Sequence, residues 1–420
     1  MNIAIIGAGW AGCAAAVEAT RRGHQVTIFE ASRTAGGRAR RVVATLNGLP
    51  VALDNGQHIL IGAYTETLRL MKDVGVDAAA SFLRLPLTMR FPDGSGLTQP
   101  DWPAPLDAVA GILTASGWSW ADKLSLLKVT LGWRLGGFIC SPGQSVSDLC
   151  RNLAPGPMAL LIEPLCVSAL NTPPERACGQ VFLRVMRDAL FAQSGGSNLL
   201  LPRTDLSALL PDAALAWLAA RGGVQRLGVR VQSLLQAGPQ WTVDGEIFDR
   251  VLLACPLAEA ARLVQGSGVA ADAWMAKARS LTHEALTTVY AYGASASLAQ
   301  PMLALHASAG EPAQFVFDRA QFGGPAGLLA FVISASSSDS ATLTEQVLAQ
   351  AARQLGLKDL KPVQTIVEKR ATFACTPGLK RPAQQIADGL LACGDYIAGP
   401  YPATLEGAVR SGLEAARSVR

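Results

Sequence analysis

Residues 1–30 contain a complete strand–helix–strand unit built around a glycine-rich turn. An apolar strand over residues 3–6 runs directly into the sequence GAGWAG of residues 7–12, and a helical pattern follows over 13–22. A second strand covers 25–29. In such a unit the glycines allow a tight turn, close approach of the backbone to a pyrophosphate and close packing of helix on strand. The residues expected to contact a dinucleotide here are Gly7, Gly9, Trp10, Ala11 and Gly12.

Two features of this unit indicate how it would hold a dinucleotide. The N-terminus of the helix directs amide groups and the positive end of its dipole at phosphates. Glu30, at the end of the second strand, can accept hydrogen bonds from both hydroxyl groups of a ribose. Its negative charge would repel a 2′-phosphate, so the sequence does not favour NADP at this site.

A second glycine motif, AGGRAR at 35–40, follows the second strand. Gly36 and Gly37 expose backbone amides, and Arg38 can add a charge-assisted contact with phosphate. By itself such a segment could be a basic surface turn. After a nucleotide-binding unit, it resembles the GG-arginine motif of the flavoprotein amine oxidase and phytoene desaturase superfamily.

A third motif lies near the other end of the chain. Residues 389–395 read as a buried strand that ends in Gly394 and Asp395. This segment resembles the second FAD motif of the same superfamily, in which the aspartate meets the ribityl–pyrophosphate region. The resemblance implies one FAD bound across a discontinuous domain, because NAD alone would not require the C-terminal motif.

Three longer segments narrow the resemblance to one group within this superfamily. They are residues 54–64 (DNGQHILIGAY), 371–378 (ATFACTPG) and 394–412. Together they resemble the squalene-associated FAD-dependent enzymes, the hydroxysqualene dehydroxylases of bacterial hopanoid synthesis, and the likeness spans the chain. It implies FAD-dependent reduction of hydroxysqualene to squalene, a long-chain isoprenoid substrate, and upstream synthases of the squalene pathway as partners. It also implies that the backbone at Val231 contacts the adenine.

The predicted fold is α/β, with a Rossmann-like FAD-binding domain interleaved with an α+β substrate domain. The FAD-binding domain is expected in three pieces, 1–75, 206–260 and 386–420. The substrate domain is expected in two pieces, 76–205 and 261–385.

The middle piece of the FAD-binding domain has a readable local pattern. It predicts a helix over 206–221 that ends at a glycine pair, and strands between Val224 and Leu235 that include Val231. It also predicts a hairpin over 241–247 with an Asp-Gly turn.

The resemblance places the segment around His58 and the start of the last helix beside the flavin. The residues expected there are Gly56, Gln57, His58, Thr404 and Leu405. A helix N-terminus directed at the flavin would stabilise the anionic reduced ring through its amides and its dipole.

Removal of a hydroxyl group as water requires a proton donor near the substrate. His58 is one candidate, since the pKa of an imidazole lies close to working pH. Asp54 is another, provided that burial raises the pKa of its carboxyl group, and Tyr401 is expected to line the flavin face. Each has a structural alternative: His58 can bond the flavin or a loop carbonyl, Asp54 can cap a turn, and Tyr401 can be a packed loop residue.

Composition narrows the class of partner. Charged residues make up 16% of the chain, against roughly 25% in ordinary soluble domains, and the net charge is only +4. A low fraction of charged residues is expected for a protein that holds a long apolar substrate or rests on a membrane, and equally for an alanine-rich enzyme. The small net charge does not favour nucleic acid as a partner. Eight cysteines without a C-x-x-C pair or metal-ligand spacing predict reduced thiols and no metal site.

The expected location is cytoplasmic, either soluble or peripheral on the inner face of the membrane. The N-terminus is already the first strand, which leaves no room for a signal peptide, and no run of 18 apolar residues predicts a spanning helix. Residues 104–140, with Trp118, Trp120 and Trp133 among leucines and basic residues, are the candidate for membrane contact. The alternative is that these helices pack on the substrate domain.

Three functional hypotheses remain open. The first is a reductive dehydroxylase acting on a C30 isoprenoid, and the second is a carotenoid-type desaturase or isomerase. The third is a non-catalytic, FAD-dependent isoprenoid carrier. The sequence does not distinguish oxidation from reduction, because hydride passes to or from the same flavin ring.

Overall fold

The computed structural model describes residues 1–191, 194–337 and 339–419. Within these ranges, the strands are β1 Asn2–Ile6, β2 Gln25–Glu30, β3 Arg41–Leu46, β4 Leu49–Asp54, β5 Leu60–Ile61, β6 Phe82–Leu85, β7 Thr88–Arg90, β8 Gly96–Thr98, β9 Leu199–Pro202, β10 Val224–Leu227, β11 Leu234–Ala237, β12 Gln240–Val243, β13 Glu246–Phe248, β14 Arg250–Leu253, β15 His283–Tyr292, β16 Met302–Ala304, β17 Phe315–Asp318, β18 Leu328–Ser336, β19 Lys361–Phe373, β20 Gln385–Ala387 and β21 Leu390–Ala392. The α-helices are α1 Trp10–Arg21, α2 Thr65–Asp73, α3 Ala78–Ser81, α4 Leu106–Leu113, α5 Trp120–Leu135, α6 Val146–Leu149, α7 Pro155–Pro157, α8 Glu163–Leu170, α9 Gly179–Leu190, α10 Leu206–Leu209, α11 Pro211–Ala219, α12 Leu257–Gly266, α13 Asp272–Ser280, α14 Ser340–Gln354 and α15 Leu405–Ser418. A π-helix covers Met158–Ile162 and a 3₁₀-helix covers Arg319–Phe322.

A six-stranded sheet in the order β10-β2-β1-β14-β21-β20 forms the nucleotide-binding half. Its pairings are parallel except the last, between β20 and β21. Parallel strands covered on both faces are built from unbroken apolar runs, and Ile3, Ile5 and Leu252 are fully buried accordingly. The sheet therefore takes strands from each of the three segments proposed for the FAD-binding domain.

The last helix, α15, packs against the first, α1. A Cβ atom at Gly412 would lie 2.1 Å from the carbonyl oxygen of Ala11, so only glycine allows this approach. Glu406 on α15 is fully buried and accepts hydrogen bonds from the amides of Glu66 and Thr67, at the N-terminus of α2. A carboxylate is favourable there because it satisfies free amides and the positive end of the helix dipole. These contacts fix the start of α15 beside the glycine turn.

The second half is built on a five-stranded antiparallel sheet in the order β16-β17-β18-β15-β19. Helix α14 covers one face and shares a buried apolar cluster with it that includes Val289, Phe331 and Val347. The other side of the sheet belongs to a larger core shared with α5, α8 and α9. The cavity described below lies between this core and the nucleotide-binding sheet.

The local predictions for the middle piece have mixed outcomes. The hairpin is confirmed, since β12 and β13 pair antiparallel and both Asp244 and Gly245 have positive φ, as a two-residue turn requires. The predicted single helix is two helices, α10 and α11, because Pro211 starts a new helix and cannot donate a backbone hydrogen bond to the first. Val231 is not in a strand, because it lies in the connection between β10 and β11.

Residues 104–140 contain α4 and α5, an adjacent pair on the surface of the second half. Ser119 and Asp122 form a capping box at the start of α5. Trp118 and Trp133 are buried, whereas Trp120 is exposed. Across the described parts of the chain, no helix has the length and apolar character needed to cross a membrane.

Candidate active site

One cavity of about 760 Å³ joins the two halves of the molecule. Its lining begins at the glycine turn after β1, continues past β2 and residues 55–58, and ends among the strands of the second sheet and helices α8 and α9. Polar groups line the nucleotide-binding end, and apolar side chains line the far end. The predicted residues that line it are Gly7, Gly9, Trp10, Ala11, Glu30, Gly36, Gly37, Arg38, Gly56, Gln57, His58, Gly394, Asp395, Tyr401, Thr404 and Leu405.

Three predicted residues do not line the cavity: Gly12, Val231 and Asp54. Gly12 allows α1 to pack closely on the glycine turn, since a Cβ atom at this position would lie 1.9 Å from the carbonyl oxygen of Gly7. The backbone of Val231 was predicted to contact the adenine, and its carbonyl oxygen accepts a hydrogen bond from Arg262 at 2.6 Å. The carbonyl oxygen keeps a second lone pair, so the contact of the Val231 backbone with adenine stays a prediction.

The glycine turn leaves open space where a phosphate group could approach the backbone. Gly7 has φ +112°, and a Cβ there would lie 2.6 Å from the carbonyl oxygen of Ala254. Gly37 has φ +61°, and its Cβ would lie 3.4 Å from the Cα of Gly9. At Gly7 the positive φ and the short distance both require glycine, whereas at Gly37 it is the positive φ that favours glycine.

Glu30 is held at the cavity by two backbone amides. Its Oε2 accepts a hydrogen bond from Ala8 N and its Oε1 from Ser32 N, both at 2.8 Å. Each carboxylate oxygen keeps lone-pair capacity for a further donor. The position is compatible with the predicted ribose contact.

Arg38 and Asp395 bring the second and third glycine motifs together. Their ion pair measures 2.5 Å, and Arg38 also donates a hydrogen bond to the carbonyl of Ala371 at 2.7 Å. The charge of Asp395 raises the pKa of Arg38 above its usual value. Arg38 pairs with this carboxylate and lines the cavity, and its contact with phosphate stays a prediction.

The cavity wall also carries an unpaired hydrogen-bond donor. The side-chain nitrogen Nδ2 of Asn55 is buried without a partner, and Asn55 lines the cavity. A buried donor without a partner costs about 1–3 kcal/mol, so a ligand acceptor would be favourable here. Together with the open glycine turn, this donor fits a polar dinucleotide such as FAD.

His58 is set up as a hydrogen-bond acceptor rather than an acid. Its Nδ1 lies 2.6 Å from the carbonyl oxygen of Gly56, which requires a proton on Nδ1. Burial, and to a lesser extent the charge of Arg38, lowers the pKa of the imidazole. A neutral ring with its proton on Nδ1 has only a lone pair on Nε2. The geometry therefore does not favour the predicted general-acid role.

Asp54 lies behind the cavity wall as a structural anchor. Its Oδ1 accepts a hydrogen bond from Leu206 N at 2.8 Å, and Arg319 lies 4.0 Å from its Oδ2. Burial is the largest cause of the shift that raises the pKa of this carboxyl to about 6. Arg319, which the sequence analysis did not identify, also donates a hydrogen bond to Gln57 Oε1 at 3.0 Å. This buried arginine supports a residue of the cavity wall.

The start of α15 lines the cavity as predicted from the sequence. Thr404 caps the helix, since its Oγ1 accepts a hydrogen bond from Gly407 N at 2.9 Å. Tyr401, three residues earlier, donates a hydrogen bond from its hydroxyl to Asp188 Oδ2 at 2.9 Å. Asp188 also lines the cavity and was missed by the sequence analysis. One sequence feature could have identified Asp188. It lies in the last turn of α9, where the helix dipole disfavours a carboxylate, so its presence there suggests another role.

The far end of the cavity is walled mainly by apolar side chains from both the helices and the second sheet. They include Leu165, Val181, Val185, Met186, Met302, Phe315, Phe317 and Val332. Such a lining favours an apolar ligand, because burying hydrocarbon surface gains roughly 25 cal/mol per Å². Among the described residues, no cluster of potential metal ligands is present.

Comparisons with known proteins agree on a flavoprotein. Residues 10–420 match the family described as flavin containing amine oxidoreductase. The chain is 28% identical to the hydroxysqualene dehydroxylase of Rhodopseudomonas palustris, with 99% of this chain and 97% of the relative covered. It is 26% identical to the same enzyme of Sinorhizobium fredii, with the same coverage. A zeta-carotene desaturase of Zea mays is 38% identical, but over only 18% of this chain and 13% of its own length.

Solved structures show the same fold at low sequence identity. An oxidoreductase from Methanosarcina mazei superposes with a TM-score of 0.75, covering 100% of both chains at 16% identity. Cyclohexylamine oxidase from Brevibacterium oxydans superposes with a TM-score of 0.73, covering 99% of this chain and 98% of its own at 15% identity. The predicted α/β fold class and the FAD cofactor are confirmed. The chain is an FAD-dependent oxidoreductase that belongs to the flavin containing amine oxidoreductase family.

Proposed function

We propose that this chain reduces hydroxysqualene to squalene. The observation that carries the proposal is the continuous cavity that leads from a nucleotide-binding turn into an apolar chamber. Full-length similarity to two hydroxysqualene dehydroxylases supports the choice of substrate. The similarity to a zeta-carotene desaturase covers a small part of the chain and gives the desaturase alternative less support.

The residues that would hold FAD come from both ends of the chain. They are the glycine turn after β1, Glu30, the Arg38–Asp395 pair, the unpaired Asn55 amide and the capped start of α15. In its reduced form, bound FAD supplies a hydride. The apolar chamber would hold the isoprenoid chain and exclude water from the reacting carbon. The protein must also supply the proton with which the hydroxyl group leaves as water.

The test is an anaerobic single turnover of photoreduced holoenzyme with 12-hydroxysqualene. We expect one squalene formed for each flavin reoxidised, and no squalene from oxidised enzyme. Phytoene serves as the comparison substrate. Desaturation of phytoene without squalene formation would replace the proposal by a carotenoid desaturase, and binding without conversion of either would replace it by a carrier.

We also propose that α4 and α5 rest on an anionic membrane surface. Of the 17 large apolar side chains that are exposed in the described residues, nine lie between positions 102 and 139. On α5 the exposed apolar residues recur at helical spacing and form one stripe, namely Trp120, Leu124, Leu131 and Leu135. On α4 the corresponding stripe consists of Leu106, Val109 and Leu113.

The charges around these stripes suit an anionic surface. Lys128 and Arg134 are exposed beside the apolar stripe of α5. Lys123 donates a hydrogen bond to the carbonyl of Leu113 and so links the two helices. The nearby acid Asp122 is used in the capping box of α5. An apolar stripe flanked by cations is typical of a helix that lies in a membrane interface.

A membrane location would place the enzyme where its substrate accumulates. The C-terminal end of α9, which lines the cavity at Leu190, contacts this region: Phe138 and Arg134 both pack on Phe191. We therefore propose that the chain works at the inner face of the cytoplasmic membrane and takes up isoprenoid delivered by the upstream synthases. Free thiols at its cysteines, including Cys13 and Cys393, are compatible with a reducing compartment.

A further inference from the structure

The substrate and the product of the proposed reaction differ by one hydroxyl group, and the rest of both molecules is hydrocarbon. Apolar side chains alone discriminate weakly between two such ligands and do not fix the position of the C–O bond. A hydrogen-bonding side chain in the apolar chamber does both, because a buried hydroxyl group without a partner is costly. Such a side chain must line the chamber and keep hydrogen-bonding capacity for a ligand.

Ser197 is a buried hydroxyl group on the cavity wall. It is only 3% exposed, it lines the cavity, and it lies just before β9. The residue before it accepts a backbone hydrogen bond from Ala63 N and the residue after it from Gly62 N, both at 2.9 Å. These two bonds fix Ser197 beside the segment that follows β5, which itself lines the cavity at Ile61 and Ala63.

Gln99 directs the hydroxyl proton of Ser197. Ser197 Oγ donates a hydrogen bond to Gln99 Oε1 at 3.0 Å. Gln99 is also buried, and its backbone amide donates to the carbonyl of Leu87 at 2.9 Å. It packs against Gly111 of α4, where a Cβ atom would lie 3.1 Å from Gln99 Cγ. A serine hydroxyl has one proton and two lone pairs, so Ser197 in this arrangement is an acceptor for a ligand.

Two other polar side chains at this end of the cavity are less suited to this contact. Asn171 already donates to Thr372 Oγ1 at 3.0 Å, and its carbonyl oxygen accepts a hydrogen bond from Ala335 N at 2.8 Å. Ser334 on β18 is a buried serine that also lines the cavity. However, the side chain of Gln314 bonds its backbone amide and does not direct its hydroxyl group. Ser197 therefore combines burial with a proton whose direction is fixed.

We propose that Ser197 accepts a hydrogen bond from the hydroxyl group of the isoprenoid substrate and that Gln99 keeps it an acceptor; this inference rests on the proposed function. The contact places the C–O bond at one point of an otherwise apolar chamber. It holds the hydroxyl group by its hydrogen and leaves the lone pairs of the leaving oxygen free for the proton that the reaction requires. Squalene lacks the hydroxyl group, so the contact is lost when the product forms. Ser197 is thus a substrate-binding residue, and Gln99 is a positioning residue that acts through it.

The first test measures binding without turnover. Oxidised holoenzyme is titrated with 12-hydroxysqualene and with squalene in the same detergent, and the perturbation of flavin absorbance gives both dissociation constants. Ser197→Ala should lower the ratio of the squalene constant to the hydroxysqualene constant roughly five- to 150-fold, because the ligand hydroxyl is left unpaired. Gln99 loses its partner with either ligand, so that loss cancels in the ratio. The squalene constant itself should stay within twofold of wild type.

Two variants control this measurement. Ser334→Ala removes another buried hydroxyl group from the cavity wall and should leave the ratio unchanged. The double variant Ser197→Ala, Gln99→Met removes both partners of the hydrogen bond and conserves side-chain volume, so it leaves no buried amide oxygen unpaired. It should show the same fall in the ratio as Ser197→Ala, which keeps the test decisive if the single variant is unstable.

The second test separates the roles of the two residues. In Gln99→Met the Ser197 hydroxyl group is free to turn and donate to the substrate oxygen, so the hydroxysqualene dissociation constant should stay within threefold of wild type. Single-turnover squalene formation by reduced holoenzyme at saturating substrate should slow roughly three- to tenfold, because the new bond occupies a lone pair of the leaving oxygen. An unchanged rate would overturn the positioning role of Gln99.

The outcomes separate this inference from the proposed function. If reduced wild type forms no squalene, the proposed function fails, whereas the binding ratio still decides whether Ser197 holds the ligand hydroxyl. If wild type forms squalene and the ratio falls less than fivefold in Ser197→Ala, the function stands and the assignment of Ser197 is wrong. An equal fall in Ser197→Ala and Ser334→Ala would also overturn the assignment, because it would show a general change of the chamber.

Discussion

The Arg38 guanidinium lies 2.5 Å from the Asp395 carboxylate, across 357 positions of sequence. The two residues belong to separate glycine motifs, and both line the cavity. The Asp395 side chain is mostly buried, so removal of Arg38 would leave a buried carboxylate without this partner. The pair therefore joins the two ends of the FAD-binding region.

Arg38→Ala should weaken FAD retention. The substitution leaves the buried Asp395 carboxylate unpaired at the proposed FAD site, at a cost of about 1–3 kcal/mol, or roughly five- to 150-fold in the dissociation constant. Flavin absorbance after gel filtration, followed by FAD titration of the stripped protein, measures the effect. Arg21→Ala is the matched control, because it breaks a surface ion pair with Asp73. Equal FAD affinity of both variants would show that the Arg38–Asp395 pair does not contribute to binding.

His58 should remain neutral at pH 7 in the folded protein. Burial lowers the pKa of its imidazole below the usual value of about 6.5, and the Gly56 carbonyl selects the tautomer with the proton on Nδ1. Ring ¹⁵N chemical shifts across a pH titration report both properties, with His58→Gln used to assign the signals. An imidazolium at pH 7 would restore His58 as the candidate acid.

Asp54 should make stability depend on pH in mildly acidic solution. Its pKa is raised from 3.8 to about 6 in the folded state, so the native protein binds the proton more tightly than the unfolded chain does. This contribution is fully present below about pH 4 and is lost as pH rises through about 6, a change of about 3 kcal/mol. Denaturant unfolding at saturating FAD should show wild type losing that much relative to Asp54→Asn between pH 4 and pH 7. A constant difference between the two proteins would contradict the raised pKa.

The membrane proposal predicts sedimentation with vesicles of equal parts phosphatidylglycerol and phosphatidylcholine. Binding should weaken with added salt, because screening reduces the contribution of Lys128 and Arg134. The double variant Trp120→Ser, Leu135→Ser should bind roughly ten- to a hundredfold more weakly, since each side chain contributes up to about 1.5–3 kcal/mol when buried in lipid.

The matched control for this experiment is Leu49→Ser, Leu235→Ser. Both leucines are exposed, but they lie on strands outside α4 and α5. Trp118 is not a suitable probe, because it is buried in the core and its replacement would damage packing. Equal sedimentation of the two double variants would assign α4 and α5 to another role.

The nucleotide-binding end could be predicted from the sequence because its requirements are local. The turn at residues 7–12 needs glycine for backbone reasons alone, and the Asp-Gly hairpin follows from positive φ at two adjacent residues. Local pattern also placed the start of α15 near Thr404. Val231 was misplaced, because a β-branched residue in an apolar stretch fits a buried connection as well as a strand.

The chemistry of the second half could not be read in the same way. The Tyr401–Asp188 contact joins residues 213 positions apart, and the Arg319–Gln57 contact joins residues 262 apart. Only tertiary packing sets these distances. Protonation states cannot be predicted from the sequence for the same reason. The sequence identified His58 and Asp54, but burial and neighbouring groups decide whether each side chain is a proton donor, a hydrogen-bond acceptor or a structural anchor.

The order of strands in the central sheet has a consequence for how the protein is made. Strand β21, Asp395 and α15 are synthesised after the other parts of the FAD-binding half, yet they lie beside β14 and α1 within it. A nascent chain that ends at α14 contains the glycine turn. It lacks Asp395 and the start of α15, which line the cavity beside that turn. If Asp395 and the start of α15 hold FAD as proposed, we expect stable flavin uptake, and a yellow protein, only after this segment has been synthesised.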